Sequence, residues 1–281
     1  MVINYLVVRG EGVKLRELFQ WGDQDLKTLH PIPALASMQY GRDSRQDRKP
    51  VPIFWPQDNN HPIPCYPYAD LHDPASLLQI GLSIRDFGIV RIKDVPVHPG
   101  TVADVAQCFG VVHRNNYGEV FDVKSDAHMA LGSNTGKYLG PHTDESYRHA
   151  APGITCFHCL KASTDGGGAS ILVDGFHAAE QLRTHAPALF DTLATVPIFF
   201  QRRALPEEDM QSHRRIISLD IDGDVEGIRF TDRTLPPQDL PDDVVEVTYQ
   251  AIKAFWNIVN DDKLKVIYPM VSGDLHIFDN Q

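Results

Sequence analysis

His142-Thr143-Asp144 is where residue types and spacing first suggest chemistry. In an extended strand, side chains at i and i+2 share a face, so an imidazole and a carboxylate would converge on one point. Two histidines and a carboxylate make the facial triad that holds non-haem Fe(II) with its opposite face open, and this tripeptide supplies two of those three groups. The tripeptide also arises by chance, and the plain alternative is a surface turn with a hydrogen-bonded histidine. Two other metal-like spacings carry less. Cys156 and Cys159 have Cys-x-x-Cys spacing, but i and i+3 on a strand face opposite sides, so core cysteines are expected there. Asp220 to Asp224 hints at a calcium loop without the remaining EF-hand positions or flanking helices, and reads as a hairpin turn.

The elements that must position the pair follow from periodicity. Leu77, Leu78, Ile80 and Leu82 predict a helix ending at Gly88, followed by a strand over Ile89 to Ile92. Thr101 to Phe109 reads as a short helix with Thr101 as N-cap. Ile154 to Leu160 and Ala169 to Val173 are β-type runs around a turn at Thr164 to Gly168, and Phe176 to Arg183 is helical. Arg215 to Leu219 and Val225 to Phe230 flank Asp222-Gly223, a hairpin signal. Val244, Val247, Ala251, Phe255 and Val259 recur at three- and four-residue steps over Asp242 to Val259, the best helix in the chain. Gly273 to Phe278 closes on a strand. The first seventy or so residues, rich in proline from Pro50 to Pro67, read as irregular. Many short strands with helices outside predict a mainly β fold with flanking helices, a double-stranded β-helix or jelly roll.

Composition narrows the partners. The chain has 281 residues, 42% hydrophobic and 22% charged, enough for a sizeable core. A net charge of −11 argues against nucleic acid as a partner. No apolar run approaches the roughly 20 residues of a membrane span, and Met1 to Arg9 lacks the basic and apolar pattern of a secretory leader. Four cysteines in this length point to a reducing compartment, with the cytoplasm the default.

Around the His-x-Asp pair, the run Pro141 to Gly153 leads into Phe157 to Lys161, then Gly166 to Ser170 and Val173 to Phe176. With Asn116-Tyr117-Gly118, Phe121 to Lys124 and Gly273 to Asn280, this resembles the γ-butyrobetaine and trimethyllysine hydroxylase group of the taurine-dioxygenase-like superfamily. The likeness spans roughly residues 80 to 281. It implies an Fe(II)- and 2-oxoglutarate-dependent oxygenase that hydroxylates an unactivated C–H bond of a small amine or quaternary-ammonium compound. By resemblance His142 and Asp144 are iron ligands, and Ser170 helps hold the distal carboxylate of 2-oxoglutarate; a plain turn-end serine is the alternative. Asp279-Asn280 matches the start of a motif whose histidine, the third ligand, and arginine are expected beyond Gln281. His276 lies on the strand before that motif, where packing or an exposed face is the simpler role.

The same resemblance places Tyr117 and Phe121 in an aromatic cage for a quaternary ammonium, with ordinary core packing as the alternative. A third cage position falls on Ser133 or Asn134, and Tyr138 or Tyr147 are candidates to compensate. Asp232 and Arg233 stand where relatives contact the substrate's anionic end; a solvated turn is the alternative. The implied organisation is an N-terminal segment over 1–72, a degenerate version of a small zinc module, and an oxygenase domain over 73–281. Gly41 to Ser44 looks like the remnant of that module, whose cysteines are missing, so no zinc is expected. Ascorbate is a candidate accessory, and a homodimer is a candidate assembly. Two other readings stay open: a non-catalytic jelly-roll binding protein, and a metal-dependent hydrolase adding His113 or His158 to the pair.

Overall fold

The computed structural model describes residues 3–8, 16–21, 27–31, 49–55, 63–123, 138–163, 168–204 and 208–281, the first three stretches by their backbone. Two compact units result, Met1–Pro50 and Val51–Gln281. In the first, β1 (Ile3–Val8), β2 (Arg16–Trp21) and β3 (Lys27–Pro31) form an antiparallel meander with Leu6 opposite Leu18 and Leu18 opposite Leu29. The expectation of an irregular start is corrected here: Ile3 to Val8 is rich in β-branched and aromatic residues, which suit a pleated surface. Gly41 to Ser44 lie outside the described residues.

The larger unit opens with β4 (Cys65–Pro67) and a turn of 3₁₀ helix, Tyr68–His72. Helix α1 (Pro74–Phe87) has an Asp73 carboxylate accepting from the Ser76 amide at 2.8 Å and a proline in its first turn. It stops where Gly88 adopts φ 70°, a left-handed C-cap that glycine takes without steric cost. There follow β5 (Ile89–Lys93), α2 (Thr101–Gln107), β6 (Ile154–His158) and β7 (Ser170–Leu172). Gly100, at φ 93°, caps α2 in place of the expected Thr101, which is itself the first helical residue. Helices α3 (Gly175–His185) and α4 (Pro187–Thr195), strands β8 (Ile198–Ala204), β9 (Glu208–Arg214), β10 (Ile217–Leu219) and β11 (Val225–Ile228), then α5 (Asp242–Val259), β12 (Val266–Tyr268) and β13 (Leu275–Asp279) complete the chain. The expected α5 and the β10–β11 hairpin are present; α4 and the β8–β9 hairpin were not foreseen.

The main sheet has the order β4-β5-β13-β6, with β4 parallel to β5 and the other pairs antiparallel. Leu275 and Ile277 of β13 face a core shared with Val90, Ile92, Ile80 and Ile84, so α1 covers that side. His276 therefore takes the other face, opposite Arg91 on β5 and Phe157 on β6. A second core joins α3, α4 and α5 to β8, β10 and β11 through Leu182, Leu193, Phe200, Ile217 and Phe255. Of these fully buried residues, Phe255 belongs to the amphipathic period that marked α5 in the sequence. Among the described residues no helix is long and apolar enough to cross a membrane.

Candidate active site

His142 and Asp144 sit in a loop that tightens into a turn, not in the extended strand expected from the sequence. They converge all the same: His142 Nε2 lies 3.4 Å from Asp144 Oδ1. The loop is held by its backbone. The Thr143 amide donates to the Phe230 carbonyl at 2.7 Å, and the Phe230 amide returns a bond to Thr143 Oγ1 at 3.0 Å. Phe230 is fixed in turn by edge-on packing against Phe255 of α5, ring centroids 5.2 Å apart.

Asn280 braces the other end. Its side-chain oxygen accepts from the Asp144 amide at 2.6 Å, and its amide nitrogen donates to the carbonyls of Asp144 and Pro152 at 3.2 and 2.9 Å. The residue is buried, so the loss of any of these bonds would strand a polar group away from water. Directly after Asp144, Glu145 adopts φ 56°, a left-handed conformation uncommon for a residue with a side chain, and the chain reverses. The Glu145 carboxylate is held by Arg148 Nε at 2.8 Å.

The electrostatics suit a metal. Gly140 O lies 2.8 Å from His142 Nδ1. A carbonyl oxygen can only accept, so Nδ1 donates and Nε2 is the ring nitrogen that faces Asp144. The two side chains keep 23% and 49% of their surface exposed, which leaves them open to an incoming cation. Imidazole nitrogen and carboxylate oxygen are donors that suit first-row divalent iron. Among the described residues no group of three or more His, Cys, Asp or Glu side chains is arranged to hold a metal ion. His158 lies on β6, opposite Leu275, and forms no metal-holding group of three with the pair among the described residues. His276 is buried in β13, and burial pushes its pKa down to about 4, so it is a neutral packed residue.

Tyr117 and Phe121 are neighbours, ring centroids 5.9 Å apart and tilted by 53°, but Phe121 is largely exposed. The Tyr117 hydroxyl reaches that of Tyr147 at 3.5 Å, and Tyr147 is buried, which pushes its phenol pKa up. Tyr138 is exposed, and Ser133 and Asn134 lie outside the described residues. Ser170 begins β7 and pairs with Tyr268 of β12; the turn before it, at 164–167, lies outside the described residues. Asp232 and Arg233 are exposed, and Asp232 edges an apolar groove formed with Phe230, Tyr249 and Trp256. Cys156 packs on the main core, where burial pushes its thiol up to about 12, and both Cys156 and Cys159 are free thiols.

Sequence reasoning missed the Asn280 brace, although it read Asp279-Asn280 as a motif. It also missed Arg148, Arg202 and Glu208, which surround Tyr117 and Tyr147. Nothing in the local sequence marks the last two, because they lie on the β8–β9 hairpin, far along the chain from Tyr117.

The comparison with known proteins bears on what such a pair serves. The pattern of the Taurine catabolism dioxygenase TauD, TfdA family matches residues 60–281. The chain belongs to this family. Among TauD/TfdA-like relatives, the gamma-butyrobetaine dioxygenase of Pseudomonas sp. (strain AK-1) is 29% identical over 269 residues, covering 95% of this chain and 69% of that protein. The Homo sapiens gamma-butyrobetaine dioxygenase is 32% identical over 203 residues, covering 70% of this chain and 52% of that protein. The chain thus spans between about half and about two thirds of these curated relatives. A taurine dioxygenase from Burkholderia xenovorans has the same fold, with a TM-score of 0.56 at 16% identity over 83% of this chain and 80% of that one. The family resemblance read from the motifs is borne out, and the mainly β architecture with helices is the taurine-dioxygenase type.

Proposed function

We propose that the protein is an Fe(II)- and 2-oxoglutarate-dependent oxygenase that hydroxylates an unactivated C–H bond of a small amine or quaternary-ammonium compound. The observation that carries this reading is the convergence of His142 Nε2 and Asp144 Oδ1 at 3.4 Å, with the histidine tautomer set by Gly140. Iron held there would supply the reduction of O2, one oxygen atom going into succinate as 2-oxoglutarate loses carbon dioxide and the other into the substrate's C–H bond as hydroxyl. This chain's share is positional. Phe230 and Asn280 fix the loop backbone, so both ligands are aimed before the metal arrives. Ser170, at the start of β7, is assigned to the distal carboxylate of 2-oxoglutarate. Hydrogen abstraction demands no general base, and none is nominated.

The β7–β12 pair and the main sheet belong, in this reading, to a jelly roll that encloses the site. The cytoplasm as compartment, a homodimer and ascorbate as accessory belong to the same proposal. The test is turnover: the full-length protein, Fe(II), 2-oxoglutarate and oxygen, with a panel of small primary, secondary and quaternary amines. Succinate formation that depends on one of the amines is the expected result. Its absence with every amine tried, from folded protein, overturns the assignment.

A further inference from the structure

Asp144 is gripped on both sides by two consecutive residues from a distant part of the chain. Ahead of it, the Phe230 backbone is bonded to Thr143 through both its amide and its carbonyl. Behind it, the Arg229 guanidinium donates from Nη1 to the Ser146 carbonyl at 3.3 Å and to the Arg148 carbonyl at 2.6 Å. Arg229 directly follows β11, and its amide is anchored on the Ile216 carbonyl at 2.8 Å. The carbonyls it holds belong to the reversal around Glu145, which has no helix or strand ladder of its own to satisfy them. Two residues of β9 assist. The Ser212 hydroxyl donates to the Ser146 carbonyl at 2.8 Å, and Arg214 Nη2 holds the His149 carbonyl, further along, at 3.1 Å.

A charged clamp carries a penalty here. Burial, and then the like charge of Arg214, push the Arg229 pKa down, and both of its side-chain bonds go to neutral backbone oxygens. A hydroxyl such as that of Ser212 satisfies a carbonyl without that penalty. What the guanidinium adds is reach, since one nitrogen spans the carbonyls on either side of Tyr147. We propose that Arg229 is a positioning residue for Asp144: with Phe230 it fixes the backbone on both sides of that ligand, so that the carboxylate is turned toward His142 before a metal binds. This rests on the oxygenase reading above and adds the residue that aims one of its ligands.

The test is titration of the full-length protein with Mn(II), followed by electron paramagnetic resonance, with urea unfolding of each variant alongside. Arg229→Met keeps an apolar stem and loses both bonds, and is expected to bind Mn(II) roughly tenfold more weakly than the wild type. Arg214→Met releases the His149 carbonyl, further from Asp144, and is expected to lose stability but to bind Mn(II) as the wild type does. A merely structural role would leave the affinity of both folded variants unchanged. Arg229→Lys, whose ammonium reaches one carbonyl at a time, is expected to fall between the wild type and Arg229→Met. Wild-type affinity in folded Arg229→Met, or an equal loss in Arg214→Met, overturns the inference. Should Arg229→Met not fold, Arg229→Lys decides, and wild-type affinity there overturns it. Failure of the oxygenase reading is distinct: it is the absence of amine-dependent succinate from protein that binds Mn(II) through His142. A wild type that binds no Mn(II) overturns both.

Discussion

The His142–Asp144 loop and the Tyr117–Tyr147 cluster lie close in sequence but are built on opposite plans. In the loop, the backbone is tied to buried partners, Phe230 and Asn280, while the two side chains face each other and keep surface exposed. In the cluster, the side chains themselves are tied: rings to guanidiniums, guanidiniums to carboxylates, carboxylates to Asn115 and Asn116. A group waiting for a ligand is held by its main chain with its donors free. A group that has already found its partner is held through the functional atoms. The contrast separates a site prepared for something from outside from one closed by the chain's own residues.

Four changes test this contrast. Phe255→Ala removes a fully buried ring of α5 that also supports Phe230, and should cost about 3–5 kcal/mol in urea unfolding. If the loop depends on that core, the same variant also weakens metal binding at His142; a metal affinity equal to the wild type's would show the loop to be independent of it.

Acid should act through a different histidine. His276 has a folded pKa of about 4 against 6.5 unfolded, so between those values the unfolded chain binds more protons and stability falls as pH falls. The loss should reach about 3 kcal/mol below pH 4 and be absent above about pH 6.5. Unfolding curves of His276→Gln should lack this slope, and those of His142→Ala should keep it. The reverse outcome would mean that the exposed pair, and not buried β13, senses the proton.

Asn280→Ala strips the brace and should cost about 2 kcal/mol, because the Asp144 amide and the Pro152 carbonyl lose their partner. Calorimetric melting checks the stability, and titration with Mn(II) checks that metal affinity falls with it. His142→Ala should be smallest in stability, within about 0.5 kcal/mol, since its ring is partly exposed and packs in neither core.

Much of this arrangement was legible in the sequence, for stated reasons. Helix α5 was plain because Ala251, Phe255 and Val259 recur at the helical period and all three are buried. The β10–β11 hairpin was marked by Asp222-Gly223, where Gly223 takes φ 88°. The residue types of the metal pair were enough to find it, but the strand assumed for it was not there. A tight loop brings i and i+2 together as well as a strand does, and only its long-range bonds reveal which is used. The β8–β9 hairpin was hidden because Gln201-Arg202-Arg203 and Glu208-Asp209 read as charged surface, with no alternating apolar face. The Tyr–Arg cluster was hidden for a related reason. Its contacts join residues as far apart as Tyr117 and Glu208, which no local pattern encodes.

The most direct test of the central claim is anaerobic addition of Fe(II) and 2-oxoglutarate to the full-length protein, followed by visible absorption. A weak charge-transfer band that appears with both additions, and is lost in folded His142→Ala, is the predicted result. No band in the wild type, or the same band with His142 replaced, would contradict the assignment of His142 and Asp144 as iron ligands.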